Sequence, residues 1–299
     1  MSLVSAIIPT HNRRDLVREA VASALAQRDV ALEVIVVDDG STDDTATALS
    51  GFGARIRYLR QATRGVAAAR NSGARHARGE WLAFLDSDDL WRPHKLARQL
   101  AYHASAPGLR ASQTGEIWIR NGVRVNPCSH HRKPDGDIFA ASVARCVVSP
   151  SAVLLRRELF DALGGFDESL DVCEDYELWL RLGARERVGL LDEPLVVKRG
   201  GHADQLSRRH WGMDRFRVAA LAKLLAVGEL DAAHRTLAAA ALRSKCAVLA
   251  QGARRRDRAA EAERYLALAD ACVRFSSPQR TQRSTEDSAP PCGPLWSLW

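Results

Sequence analysis

A short apolar run, a polar or acidic break and then a helical pattern recur four times within the first 105 residues, and this alternation restricts the fold more than any other feature of the chain. Residues 3–9 (LVSAIIP) close on a proline, and Leu16, Val17, Ala20, Val21, Ala24 and Leu25 then recur at helical spacing across 13–27. Residues 32–37 (LEVIVV) are stopped by Asp38-Asp39-Gly40-Ser41, and a helix is predicted over about 43–49. Residues 55–60 (RIRYLR) alternate as a strand with one wet face, and 65–78 are Ala-rich and helical. Residues 80–85 (EWLAFL) end at Asp86-Ser87-Asp88-Asp89, and Pro93 suits the first position of a helix reaching about 104. Strands and helices in strict alternation, with short links, predict a parallel sheet covered on both faces. Right-handed crossovers bring the strand C-termini to one edge, and ligands of such sheets bind beyond that edge.

After residue 107 the pattern loosens. A strand is predicted over 113–120, a polar loop over 125–136, an apolar segment over 147–155, helices over 156–163 and 174–184, and a strand over 194–198. Ala and Leu recur at helical steps over 211–274, which predicts two or three helices with breaks at Gly228 and Gly252. The last residues are rich in Ser, Pro, Gln and charge, the composition of a disordered tail. The expected organisation is therefore a catalytic-size domain over 1–205, a helical extension over 206–275 and a tail over 276–299.

Charge excludes one class of function. Residues 1–202 hold 27 Lys and Arg against 26 Asp and Glu, whereas 203–299 hold 16 against 10. The main domain is nearly neutral, which argues against a nucleic-acid partner. The basic excess of the C-terminal third, with Arg254-Arg255-Arg256 and Arg258, fits solvated arginines on a helical appendage, or peripheral contact with an acidic membrane. No apolar run reaches the roughly 18 residues of a membrane span. The N-terminal apolar run precedes its charges, the reverse of an export signal. The six cysteines include no C-x-x-C pair, and scattered thiols fit a reducing, cytoplasmic setting, at most peripheral at the inner face of the membrane.

The chemistry is signalled by acids at two strand ends of the same sheet edge, Asp38 and Asp39 at one, Asp86, Asp88 and Asp89 at the other. Clustered carboxylates repel unless a cation lies among them, and their hard oxygens suit Mn2+ or Mg2+. In an extended D-x-D, Asp86 and Asp88 fall on one face and can share one ion. Asp38 alone reads as turn chemistry, and Asp89 as a cap for the following helix. There is no G-x-x-x-x-G-K and no strand-borne G-x-G-x-x-G, which removes the phosphate-loop and dinucleotide enzymes from consideration.

The segments IIPTHNR, VVDDGSTDDT, GVAAARNSGA, EWLAFLDSDDLW, GGFDE and EDYELWLRL occur in this order. Together they resemble the family 2 glycosyltransferases over about residues 3–202. The resemblance implies an α/β, Rossmann-like GT-A domain with a mixed sheet, here with a C-terminal helical extension. It implies an inverting transfer from a nucleotide-diphosphate sugar, UDP or dTDP by preference, to a hydroxyl of a glycan or lipid-linked acceptor, in bacterial surface polysaccharide or glycolipid synthesis. Acceptor recognition is then expected in the loop-rich second half. By the same resemblance Pro9 and Thr10 line the nucleobase pocket with Asn12 nearby, and Asp39 accepts a hydrogen bond from the base imide. Arg70 lies near the base or the phosphates, Asp86 holds the ribose, and Asp88 binds the metal. His202 completes the metal site, and Asp175, with Glu174 as the alternative, is the general base. Trp179 shares the helical face of Asp175, where it reads as core before sugar platform. The adjacent pair His130-His131 reads as surface. A non-catalytic nucleotide-sugar-binding protein of the same fold is the rival reading, and absence of donor turnover would distinguish it.

Overall fold

Strand β1 (Leu3–Thr10) is buried from Val4 to Thr10 without alternation, as expected of a strand with helices on both faces. The computed structural model describes residues 2–126, 132–201, 212–227 and 230–276. β1 leads into α1 (Arg14–Leu25), which buries Val17, Ala20, Val21 and Ala24 at helical spacing. β2 (Ala31–Asp38), α2 (Thr45–Ser50), β3 (Arg57–Arg60), α3 (Val66–His76) and β4 (Trp81–Phe84) follow. β1 pairs in parallel with β2 and β4, and β2 with β3.

The remaining strands are β5 (Leu90–Trp91), β6 (Ala111–Arg120), β7 (Val123–Val125), β8 (Leu154–Arg156), which runs directly into helix α6 (Arg157–Ala162), and β9 (Val188–Gly200). Among the described residues the sheet runs β3-β2-β1-β4-β8-β6-β9-β5, with β7 on β6. β8 joins the two halves antiparallel to both β4 and β6, and β9 runs parallel to β6. The sheet is therefore mixed. On one face Ile7, Ile35, Leu82 and Phe84 pack with Leu178 and Trp179 of α7 (Glu174–Arg185). On the other, Ala6, Ile8, Val36 and Leu85 pack with α1 and with Leu96 of α4 (Lys95–Ser105). α3 lies close on β1 because Gly73 has no side chain: a Cβ there would stand 2.4 Å from Ile7 Cγ2.

The structure departs from the sequence expectations in four places. Pro93 does not begin the fourth helix. Leu90 and Trp91 pair antiparallel with Val197 and Val196, and Arg92 N–H still donates to Leu195 O, so the chain stays extended and α4 starts at Lys95. Val125 does not begin the polar loop but ends β7, which Asn121 and Gly122, both at positive φ (50° and 77°), join to β6 in a two-residue hairpin. β9 runs through Asp192 to Pro194, because the register shift between Thr114 and Glu116 absorbs the proline. Gly252 lies inside a helix and is not a break.

The chain divides into two compact units, Met1–Met213 and Asp214–Trp299. The second contains helices Asp214–Val227, Ala232–Arg254 and Ala259–Ser276. Asp231 caps the middle one, accepting from His234 N–H at 2.7 Å. The break before the last helix falls at Asp257, which has φ 58°. No helix among the described residues is long and apolar enough to cross a membrane. Gly228, residues 277–299, His130-His131 and His202 lie outside the described residues.

Candidate active site

The acids after β4 meet through a turn, not through an extended D-x-D. Asp89 N–H donates to Asp86 O at 2.9 Å, and this fold-back brings carboxylate oxygens of Asp86, Asp88 and Asp89 within 4.8 Å of one another. Asp89 does not cap α4. It is buried, and accepts from Ser151 Oγ at 2.6 Å and from Arg199 N–H at 3.1 Å, with Lys198 Nζ at 3.4 Å. Both its oxygens are thus taken by the chain. Burial pushes its pKa up to about 7 against Lys198, with Asp88 and Asp86 adding to the rise. Burial also works against ionised Asp86, but Arg70, Lys198 and Arg13 outweigh it and hold this group below the ordinary carboxylate range. Asp86 Oδ1 faces Arg70, and its Oδ2 accepts no hydrogen bond from a described residue. Asp88 pairs with Arg13 at 2.9 Å.

Arg70, on α3, is buried and bridges two distant acids. Nη2 donates to Asp86 at 2.7 Å and Nη1 to Glu174 at 2.6 Å, while the guanidinium lies 5.1 Å from the centre of the Phe166 ring. Glu174 opens α7 after Cys173, which takes a left-handed conformation (φ 64°). Burial raises Glu174 to about 7 in spite of Arg70, and neighbouring Asp175 adds to the rise. Asp175 is only half-buried. It accepts from Tyr176 N–H at 2.6 Å and from the Cys146 thiol at 3.5 Å. Trp179, in the next turn, is buried with its ring edge against Phe166 and belongs to the core.

The acids and bases line one cavity of about 480 Å3. Its far wall comes from β6 and β9. Trp118 lies opposite Lys198 in the parallel register and Glu116 opposite Val196, so the period of two turns Glu116, Trp118 and Lys198 to one face. Glu116 pairs with Lys133 at 3.0 Å and accepts from the Trp118 indole at 3.1 Å. Lys198 donates to Ser149 Oγ at 3.0 Å. Burial alone would lower its pKa, but Asp89, Glu116, Asp86 and Asp88 raise it. Arg13, Glu116, Trp118, Cys146 and Lys198 were not singled out from the sequence. Arg13 stands inside IIPTHNR, and the alternation of 113–120 carried the signal for Glu116 and Trp118.

The other expected donor residues are placed as follows. Pro9 lines the cavity. Thr10 is buried at the end of β1, and its hydroxyl has no hydrogen-bond partner among the described residues. Asn12 (φ 51°) ties two loops together, its Oδ1 accepting from Thr42 N–H at 2.7 Å and Asp43 N–H at 3.3 Å. Asp38 is a turn residue, accepting from Ser41 N–H at 2.7 Å and Tyr58 Oη at 2.5 Å. Asp39 accepts from Gln61 Nε2 at 2.8 Å, Arg64 N–H at 2.9 Å and Gly65 N–H at 2.8 Å, and so holds the start of α3.

A mixed sheet with three carboxylates at its switch from parallel to antiparallel strands has the architecture of GT-A glycosyltransferases. Staphylococcus aureus TarS 1-349, solved with UDP-GlcNAc, superposes with a TM-score of 0.72 at 20% identity, over 93% of this chain and 82% of that one. The model of glycosyl transferase family 2 matches residues 5–164, and the chain belongs to that family. An uncharacterized glycosyltransferase of Rickettsia prowazekii is 30% identical over 214 residues, 68% of this chain and 65% of that protein. The chain spans less than two thirds of the length of the Rickettsia relatives it matches. The Escherichia coli protein WfaP, named as a UDP-Glc:alpha-D-GlcNAc-diphosphoundecaprenol beta-1,3-glucosyltransferase, is 32% identical over 189 residues, 61% of this chain and 70% of that one.

Proposed function

We propose that this family 2 glycosyltransferase performs an inverting, metal-dependent transfer from a UDP- or dTDP-sugar to an acceptor hydroxyl, in building a bacterial surface glycan. The observation that carries the reading is the placement of two acidic centres on one cavity: the Asp86–Asp88–Asp89 turn, and Asp175 at the start of α7. The donor set fits Mn2+ or Mg2+, since its ligands are hard oxygens and Asp86 keeps Oδ2 outside any hydrogen bond with a described residue. Asp88 would hold the ion, which Asp86, assigned to the ribose, can share through Oδ2, with His202 expected from the sequence as a further ligand. When bound, the ion neutralises charge on the leaving diphosphate. In this reading Asp89, spent on Ser151, Arg199 and Lys198, positions the turn, and Asp86 divides its two oxygens between Arg70 and the donor side.

Asp175 is the base of this reading. An inverting transfer needs one group to take the acceptor proton as the hydroxyl attacks opposite the leaving group. Glu174 is less suited, because its carboxylate is buried against Arg70. Pro9, Thr10, Asn12 and Asp39 would form the nucleoside side. Asp39 already accepts three bonds within the chain, and its bond to the base imide would use remaining lone-pair capacity. The likeness to WfaP supports a lipid-linked acceptor, and the basic C-terminal helices would support peripheral contact with acidic membrane.

A thermal-shift screen of UDP, dTDP, GDP and CMP with and without Mn2+ tests the reading. Ligand at 100 times its Kd stabilises a fold by about 2.7 kcal/mol. UDP or dTDP is expected to raise Tm only with Mn2+, and Asp88→Ala to abolish the rise. No shift with any nucleotide in metal would overturn the donor site.

A further inference from the structure

Among the described residues, the cations around the cavity pair with acids, with two exceptions. Arg13 meets Asp88, Lys198 meets Asp89, Lys133 meets Glu116, and Arg70 meets Asp86 and Glu174. Arg132 and Arg145 also line the cavity, both exposed, and neither guanidinium makes a hydrogen bond or ion pair with a described residue. The chain beside each is anchored. Next to Arg132, Lys133 is tied to Glu116, and Pro134 O accepts from Gln113 Nε2 at 3.0 Å. Arg145 N–H donates to Ala141 O at the end of α5 (Phe139–Ala144), and the next residue, Cys146, contacts Asp175. Arg145 therefore springs from the segment that touches the group assigned as base, on the side where the acceptor hydroxyl must lie. A guanidinium is the side chain best matched to a phosphate or carboxylate, through paired N–H donors.

We propose that Arg132 and Arg145 form an oxyanion subsite for the acceptor, so that the sugar being extended carries a phosphate or carboxylate close to its reacting hydroxyl. This rests on the transferase reading above. The half-buried indole of Trp118, on the same wall, offers a ring face to the sugar between the two arginines and the base.

The test is calorimetric titration of the full chain already saturated with UDP and Mn2+. The probes are farnesyl diphosphate for a lipid-linked phosphate, digalacturonic acid for a uronate, and methyl glucoside as the neutral control. One anionic probe is expected to bind where the neutral one does not, and which one binds identifies the source of the oxyanion. The double variant R132Q/R145Q should weaken that probe by about tenfold or more and leave UDP affinity unchanged, and R132K/R145K should recover part of the loss. The proposal is overturned if neither anion binds the UDP-filled protein, or if the glutamine variant binds the probe as well as wild type. Loss of UDP affinity in that variant also overturns it, because the arginines then serve the donor diphosphate. Wild type that takes up no UDP in Mn2+ removes the transferase reading itself, and the subsite falls with it.

Discussion

Arg70 and Glu174 are 104 residues apart in the chain and 2.6 Å apart in the fold. The contact ties the helix behind β1 to the helix that carries Asp175, and through Asp86 it ties both to the acidic turn. An alanine at 70 would leave Glu174 buried beside Asp175 with no cation. Breaking a buried pair in this way costs roughly 3–5 kcal/mol. Urea unfolding of Arg70→Ala is expected to show a loss of that size. Adding Glu174→Gln should recover part of it, because a neutral amide is less costly to bury unpaired.

The assignment of the base makes a separable prediction. Asp175→Asn should reduce UDP release from the active donor by roughly 10²–10⁴-fold, while the Tm shift given by UDP and Mn2+ persists. Glu174→Gln should lower turnover less. If turnover survives in Asp175→Asn and is lost in Glu174→Gln, the two roles are exchanged.

Acid stability is expected to depend on His103. This residue is buried against the Trp81 ring, with Leu109 O at 2.9 Å from Nδ1 and Ser112 Oγ at 2.9 Å from Nε2. Desolvation lowers its pKa to about 4, with Arg156 adding, although the bond to Leu109 opposes the fall. The folded protein therefore keeps the ring neutral between about pH 6.5 and 4, where the unfolded chain takes up a proton. Stability from this residue is complete above pH 6.5 and is lost as pH falls towards 4, about 3 kcal/mol in all. Denaturant midpoints measured across that range should fall in wild type, and more shallowly in His103→Gln.

Peripheral membrane contact is a prediction about charge alone. In the helical unit Arg254 and Arg258 stand 3.5 Å from Glu263 and Glu261, with both arginines open to solvent, and such pairs are worth little and are screened by salt. Contact with acidic lipid should appear as co-sedimentation with phosphatidylserine-containing vesicles at low salt and disappear at high salt. Protein left in the supernatant at low salt would mark these helices as an appendage of the catalytic unit.

The sequence by itself determined the parallel half of the sheet, the edge at which its acids gather and the family to which it belongs. Those features are local: burial on both faces writes continuous apolar runs into β1, β2 and β4, helices write a 3.6-residue period, and strand ends write turn residues. Pro93 and Asp89 show the limit of that code. A proline or an aspartate before a helix reads as a helix start, yet here the pairing of Leu90 and Trp91 with β9 keeps the chain extended and draws Asp89 into the interior. Only the tertiary structure decided which cation meets which acid. Arg199 N–H reaches Asp89 across 110 residues, and Arg70 finds Glu174 across 104. Such partners are chosen by sheet order and by the cost of burying an unpaired charge, and neither leaves a period in the sequence. The same holds for Arg132 and Arg145, whose lack of an acidic partner among the described residues becomes visible once every other cation of the cavity has found its own.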